Sequence, residues 1–197
     1  MLTVEEIRKT YRQFEDWKIK ELALDPKALR IDIIPILNEE IKNRNLGIDL
    51  ITWIQNETNT FEGLEKENLI REIIRSKCSS CFVNSNLSGY RFNTIFSALI
   101  TITNKTEGLI ICSDCARSKR LDSMLKTLVF GWWSRSGFIA TPLALVSDLI
   151  RIFRPESESK KVIDQFIEDN TGALRLALQK NNLEGIIEHS NNRQRHK

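Results

Sequence analysis

The sequence predicts a mainly α-helical chain with one small β-hairpin: a helical N-terminal region, a four-cysteine centre and C-terminal helices. Three observations carry that prediction. Apolar residues recur at helical spacing along most of the 197 residues. The period shortens to that of strands only between two C-x-x-C pairs, CSSC and CSDC. Finally, 41 % hydrophobic and 28 % charged residues describe an ordinary globular core and surface. A chain of this length buries roughly 70 % of its unfolded surface, so size alone does not force it to bind a metal.

Taken in order, Thr3 and Glu6 form a capping box that opens a helix carrying Val4, Ile7, Tyr11 and Phe14 on one side. DWKIKELAL is a second helix, ended by Asp25-Pro26. IDIIPILNEEIKNRNLG is a third, with Ile33, Ile34, Leu37 and Ile41 apolar, Pro35 near its first turn, and a stop at Asn45–Gly47. A link containing Trp53 and NETNT leads to a helix GLEKENLIREIIRSK, which delivers the chain to Cys78. TIFSALITIT and LIIC read as the two strands of a hairpin with NKTEG as its turn. After Cys115, Leu121, Met124, Leu125, Leu128 and Val129 repeat at helical spacing.

The run GWWSRSG then interrupts the helix, and Thr141-Pro142 caps a new one, LALVSDLIRIF. PESESKK reads as a linker and helix start. VIDQFIEDNTG and ALRLALQKNNLEGIIEH read as two helices with Gly172 between them, and NNRQRHK as a frayed tail. These elements divide the chain into residues 1–77, 78–155 and 156–197.

The cysteines carry the chemistry. Cys78, Cys81, Cys112 and Cys115 form two turns that each aim two sulfurs at a common centre, the tetrahedral S₄ set of structural Zn²⁺. Thirty residues lie between Cys81 and Cys112, more than the about 15–20 of short zinc modules, and the hairpin accommodates the excess. Knuckle, hairpin, knuckle and helix follow one another in the order of a zinc-ribbon or treble-clef unit. Iron uses the same four ligands, so spacing leaves Fe(Cys)₄ open. Disulfides within each pair would be strained and need an oxidising compartment. A redox C-x-x-C needs one pair in a βαβ setting. His189 and His196 sit in polar sequence and read as solvated side chains. With four thiolates the ion has no open position, which suits a structural role.

Two stretches carry a resemblance. TYRQFEDWKIKELALDPKALRIDIIPILNEEIKNRNL, with Glu40, Ile41, Arg44 and Leu46 in an E-[LI]-x-x-R-x-L pattern, resembles a helical module at the N-termini of uncharacterised bacterial proteins. CSSC through CSDC to GWW and TP resembles bacterial proteins in which a Cys₄ unit precedes a GWW…G…TP segment. The resemblance implies no established activity and brings over no catalytic residue.

Charge and composition narrow the function classes. Residues 1–77 carry −2, residues 78–155 carry +5 and residues 156–197 are neutral. Four thiolates around a divalent ion would lower the central +5 to +3, well short of the dense basic face of a dedicated nucleic-acid binder. No histidine, phosphate-binding glycine loop or nucleophile motif accompanies a poised base, so an enzyme is not expected. Asp114 suits a helix start better than an acid's role. The N-terminus shows no apolar signal core, and the uncharged runs Thr127–Ser134 and Ser136–Ser147 are shorter than the about 18 residues of a spanning helix. The expected location is cytoplasmic, with the inner face of the membrane as an alternative.

The first functional expectation is therefore a non-enzymatic, zinc-stabilised module that binds another protein, with Trp132, Trp133 and Phe138 as contact residues. The second is attachment to a membrane surface through the apolar residues 126–153. The third is phosphate contact by Arg117, Lys119, Arg120 and Lys126 in a nucleic-acid complex.

Overall fold

A computed structural model describes residues 3–98, 101–130 and 155–195. Within them the chain is mostly helical with one two-stranded antiparallel hairpin, as the sequence predicts. It forms two compact units: Met1–Phe61 with Glu168–Asn181, and Glu62–Ile167 with Asn182–Lys197.

The first unit contains α1 (Val4–Gln13), α2 (Asp16–Leu24), α3 (Ile34–Asn43), α4 (Ile48–Thr58) and, from the far end of the sequence, α8 (Thr171–Gln179). The capping box is formed: Thr3 Oγ1 accepts from the Glu6 amide and Glu6 accepts from the Thr3 amide. Ile7, Tyr11, Ile19, Leu37, Ile41 and Ile54 make one apolar core. Pro35 falls in the first turn of α3, where a missing N–H costs nothing. That helix ends in a Schellman turn: Leu46 N–H reaches Ile41 O at 3.0 Å, and Asn45 takes the left-handed conformation.

Trp53 and most of NETNT lie in α4, not in a link. Gly47 offers no capping side chain, so the helix has no local start signal. Its contacts hold it instead. Ile54 is fully buried, and Glu57 accepts from the Gly172 amide of α8 at 2.6 Å while pairing with Lys27 at 2.7 Å. A carboxylate is favoured at that helix start. Gly172 lies in the first turn of α8, where a Cβ would collide with Glu57 Oε2, and the break between helices falls at Asn170 instead.

The second unit contains α5 (Gly63–Arg75), β1 (Leu87–Ala98), β2 (Thr101–Cys112), α6 (Ser113–Phe130), α7 (Pro155–Asp169, its last two residues grouped with the first unit) and α9 (Leu183–Arg195). The strands pair over twelve positions, from Leu87 with Cys112 to Ala98 with Thr101. The predicted first strand is therefore divided, TIFSA ending β1 and TIT opening β2, and NKTEG lies inside β2. The turn-forming composition of NKTEG is overridden by pairing. Glu107 is buried there, with Lys105 and Lys119 each 3.1 Å from a carboxylate oxygen.

PESESKK forms the first turns of α7, and the polar tail is helical through Arg195. The helix predicted over 143–153 and the GWW turn lie outside the described residues. Among the described residues no helix is long and apolar enough to cross a membrane.

Candidate metal centre

The two C-x-x-C turns are brought together by the hairpin. Leu87, six residues past Cys81, pairs with Cys112, so the strand register fixes one knuckle against the other. The first knuckle closes on itself: Phe82 N–H donates to Cys78 O at 2.8 Å and Cys78 N–H to Val83 O at 3.2 Å. This reversal puts Phe82 at φ 58, a left-handed conformation usual for glycine and costly for a bulky residue. The second knuckle opens α6 directly, with Asp114 and Cys115 in the first turn.

All four cysteines are free thiols, and their sulfurs lie within 4.8 Å of one another. Cys81 Sγ and Cys112 Sγ are 3.7 Å apart. A tetrahedral site with Zn–S bonds of about 2.3 Å needs sulfurs about 3.8 Å apart, whereas a disulfide needs about 2.05 Å. The donor set thus fits a metal ion and not a disulfide.

The electrostatics agree. Burial raises Cys78, but amide donors from Cys112, Ser80 and Cys81 outweigh it and bring the thiol down to about 6. The Cys112 amide donates to Cys78 Sγ at 3.5 Å. Burial and the neighbouring thiols push Cys115 well up. At Cys81 the Val83 amide pulls down, while desolvation and the Cys112 thiol give a net rise. One thiolate forms readily and the crowded sulfurs oppose more; a cation at their centre removes that opposition.

A second layer of contacts comes from α9, which the sequence did not connect to the cysteines. Buried Asn191 accepts from Ile110 N–H at 3.0 Å and donates to Ile110 O at 2.8 Å, so its amide pairs with β2 as a neighbouring strand would. The same Nδ2 donates to Ser79 Oγ at 2.9 Å, and Arg195 Nη2 donates to Ser80 Oγ at 2.7 Å. The two serines of CSSC are thus held by the last helix. A polar tail offers no periodic signal for this, since the partner is a strand about eighty residues earlier. Asn191→Leu should leave both Ile110 groups buried without partners. It is expected to cost about 2–4 kcal/mol, read as a lowered urea midpoint and faster amide exchange at Ile110.

The remaining predicted residues fall as follows. Lys119 is paired with Glu107, and Lys126 with Asp122 at 2.7 Å. Arg117 is exposed and Arg120 half-buried. His189 is exposed on α9, away from any role as a fifth ligand in the four-sulfur cluster. Trp132, Trp133, Phe138 and His196 lie outside the described residues.

The core-facing side of α6 also differs from its leucine pattern. Ala116 and Ser123, small residues seven apart, are buried, whereas Leu121, Leu125 and Val129 are exposed. Small side chains let the helix lie close to the hairpin. Comparison with protein-family models, curated proteins and solved structures gives no match for this chain.

Proposed function

We propose that the protein is a non-enzymatic interaction module, stabilised by one structural Zn²⁺ at Cys78, Cys81, Cys112 and Cys115, whose partner is another protein. The observation that carries this reading is an exposed apolar pair on the helix that the second knuckle opens: Leu121 and Leu125 are 59 and 62 % exposed at successive helical turns, and Val129, one turn further on, is 54 % exposed. Phe82 supports it. A phenylalanine 72 % exposed at positive φ costs stability and contributes no core, which points to a role at the surface. Zinc suits four thiolates in a closed tetrahedral set, and such a set leaves no position for substrate or activated water.

The nucleic-acid reading is weaker because Lys119 and Lys126 already serve carboxylates within the fold. The membrane reading depends mostly on residues outside those described.

The test is affinity capture from the native cell with wild type, Leu121→Ser/Leu125→Ser and Phe82→Gly. The double variant should keep its stability within about 0.5 kcal/mol and lose a stoichiometric protein partner. Phe82→Gly should relieve about 1 kcal/mol of left-handed strain, partly offset by glycine's unfolded-state entropy, yet weaken capture. Capture of the same protein at undiminished yield by both variants would refute this surface. Recovery of nucleic acid or lipid alone would refute the partner class.

A further inference from the structure

The second unit holds a groove that takes no part in the cysteine cluster. It lies between α5, β1 and α7, is half open to solvent and has a volume of about 390 Å³, in the range of small-molecule sites. Ile70, Ile74, Ile163 and the ring of Tyr90 supply apolar wall; Ser88, Ser159 and Lys160 supply the polar groups. Its shape is preformed. Lys66 and Asp164, 2.7 Å apart, tie α5 to α7, and the Gly89 amide donates to Ser159 Oγ at 2.9 Å, tying β1 to α7. Gly89 permits this approach: a Cβ there would lie 2.6 Å from Val162 Cβ and 2.7 Å from Ser159 O. With the elements clasped at these points, the space between them is a built concavity and not a loose seam.

The charge on the groove is one-sided. Among the described residues no carboxylate lines it and Lys160 forms no ion pair, whereas the nearby Lys66 is consumed by Asp164. Ser159 accepts from Gly89, so its own O–H remains free to donate, and Ser88 brings a second hydroxyl. An apolar trough with one ammonium and two hydroxyl donors is complementary to an apolar chain ending in a compact anion. We propose that this groove binds a single-chain amphiphilic carboxylate, of the fatty-acid class, with its chain along the isoleucines and its head at Lys160 and the serines. This site is separate from the α6 row, so its failure would leave the interaction reading untouched.

The test uses the full-length, metal-loaded protein and decanoate below its micelle concentration, followed by calorimetry and amide chemical shifts. Saturable binding with shifts centred on Ser88, Tyr90 and Ile163 is expected. Lys160→Ala should weaken decanoate about fivefold, as loss of an exposed charge pair of about 1 kcal/mol implies. Lys160→Glu, a surface change that leaves folding intact, should weaken it further and bring in decyltrimethylammonium, which the wild type should not bind. Ile74→Phe should fill the trough and reduce binding of both amphiphiles. Absence of saturable decanoate binding would overturn the proposal, as would equal binding by the Lys160→Glu protein or shifts centred elsewhere. Association with phosphatidylglycerol vesicles without binding of monomeric decanoate would also overturn it, in favour of a bilayer contact.

Discussion

Cys112→Ser is expected to abolish stoichiometric zinc and to destabilise the hairpin and the knuckles it joins. Cys112 does three things at once. It supplies one of the four sulfurs, its sulfur lies 3.7 Å from that of Cys81, and its amide holds the Cys78 sulfur. Serine would keep the amide but replace a soft thiolate by a hydroxyl, leaving three ligands and an open fourth position. Structural zinc contributes apparent binding energies of about 10–16 kcal/mol in small modules that fold only with metal. Here Leu87, Leu109, Ile110 and Ile111 also bury an apolar core under the site, so a partial loss of structure is expected and not complete unfolding.

The effect should be confined in sequence. Amide protection should fall over residues 78–115 and in α9 near Asn191, while the core around Leu37 and Ile41 keeps its protection. A chelator should reproduce the pattern in the wild-type protein. Elemental analysis of the purified chain separates zinc from iron. Retained stoichiometric zinc in Cys112→Ser, with unchanged melting, would refute the four-cysteine site.

The features legible in the sequence are those whose causes are local. The Thr3–Glu6 capping box, the Asn45 stop and the two C-x-x-C turns each depend on residues within one turn of one another, and all appear in the structure. The misread features have distant causes. Helix α4 lacks a cap and ends in polar residues, and its Glu57 is held by an amide 115 positions away. NKTEG has the composition of a turn, but a twelve-pair register and two lysines on Glu107 draw it into β2. On α6 the leucine periodicity announces a helix but not its buried face, because Ala116 and Ser123 take the place next to the hairpin. The clustering of the four cysteines could be read from spacing; Asn191 and the Ser79 and Ser80 contacts that brace the first knuckle could not.

The E-I-x-x-R-x-L pattern in the N-terminal module gains a physical reason, and with it the second large prediction. Arg44 spends its whole guanidinium on one corner. Nε donates to Glu40 Oε1 at 2.7 Å, Nη1 to Phe14 O at 2.6 Å and Asp16 Oδ1 at 3.0 Å, and Nη2 to Tyr11 O at 2.9 Å and Arg12 O at 3.1 Å. The three carbonyls belong to the C-terminal end of α1 and its exit, where a helix leaves acceptors without internal partners. A cation there also opposes the negative end of the helix dipole. Glu40 is itself buried, Ile41 lies in the core and Leu46 closes the Schellman turn, so each residue of the pattern has a task in the same joint.

Arg44→Ala would strand the buried Glu40 carboxylate and remove the donor to the half-buried Phe14 carbonyl, while Tyr11 O keeps the Phe14 amide, and is expected to cost about 3–5 kcal/mol. Arg44→Lys keeps the charge but cannot reach five acceptors with one compact ammonium, so an intermediate loss is expected. Glu40→Leu/Arg44→Met should recover some of the deficit, because it removes the stranded carboxylate while restoring apolar volume. The measurement is a double-mutant cycle by urea denaturation, with amide exchange at Tyr11 and Ile41 locating the effect. If Arg44→Ala cost less than about 1 kcal/mol, the level of an exposed ion pair, the joint would be peripheral. The pattern would then need a different cause. A large loss with partial rescue in the double variant would mark these residues as the fastening of α1 onto α3, which accounts for the motif without assigning it any chemistry.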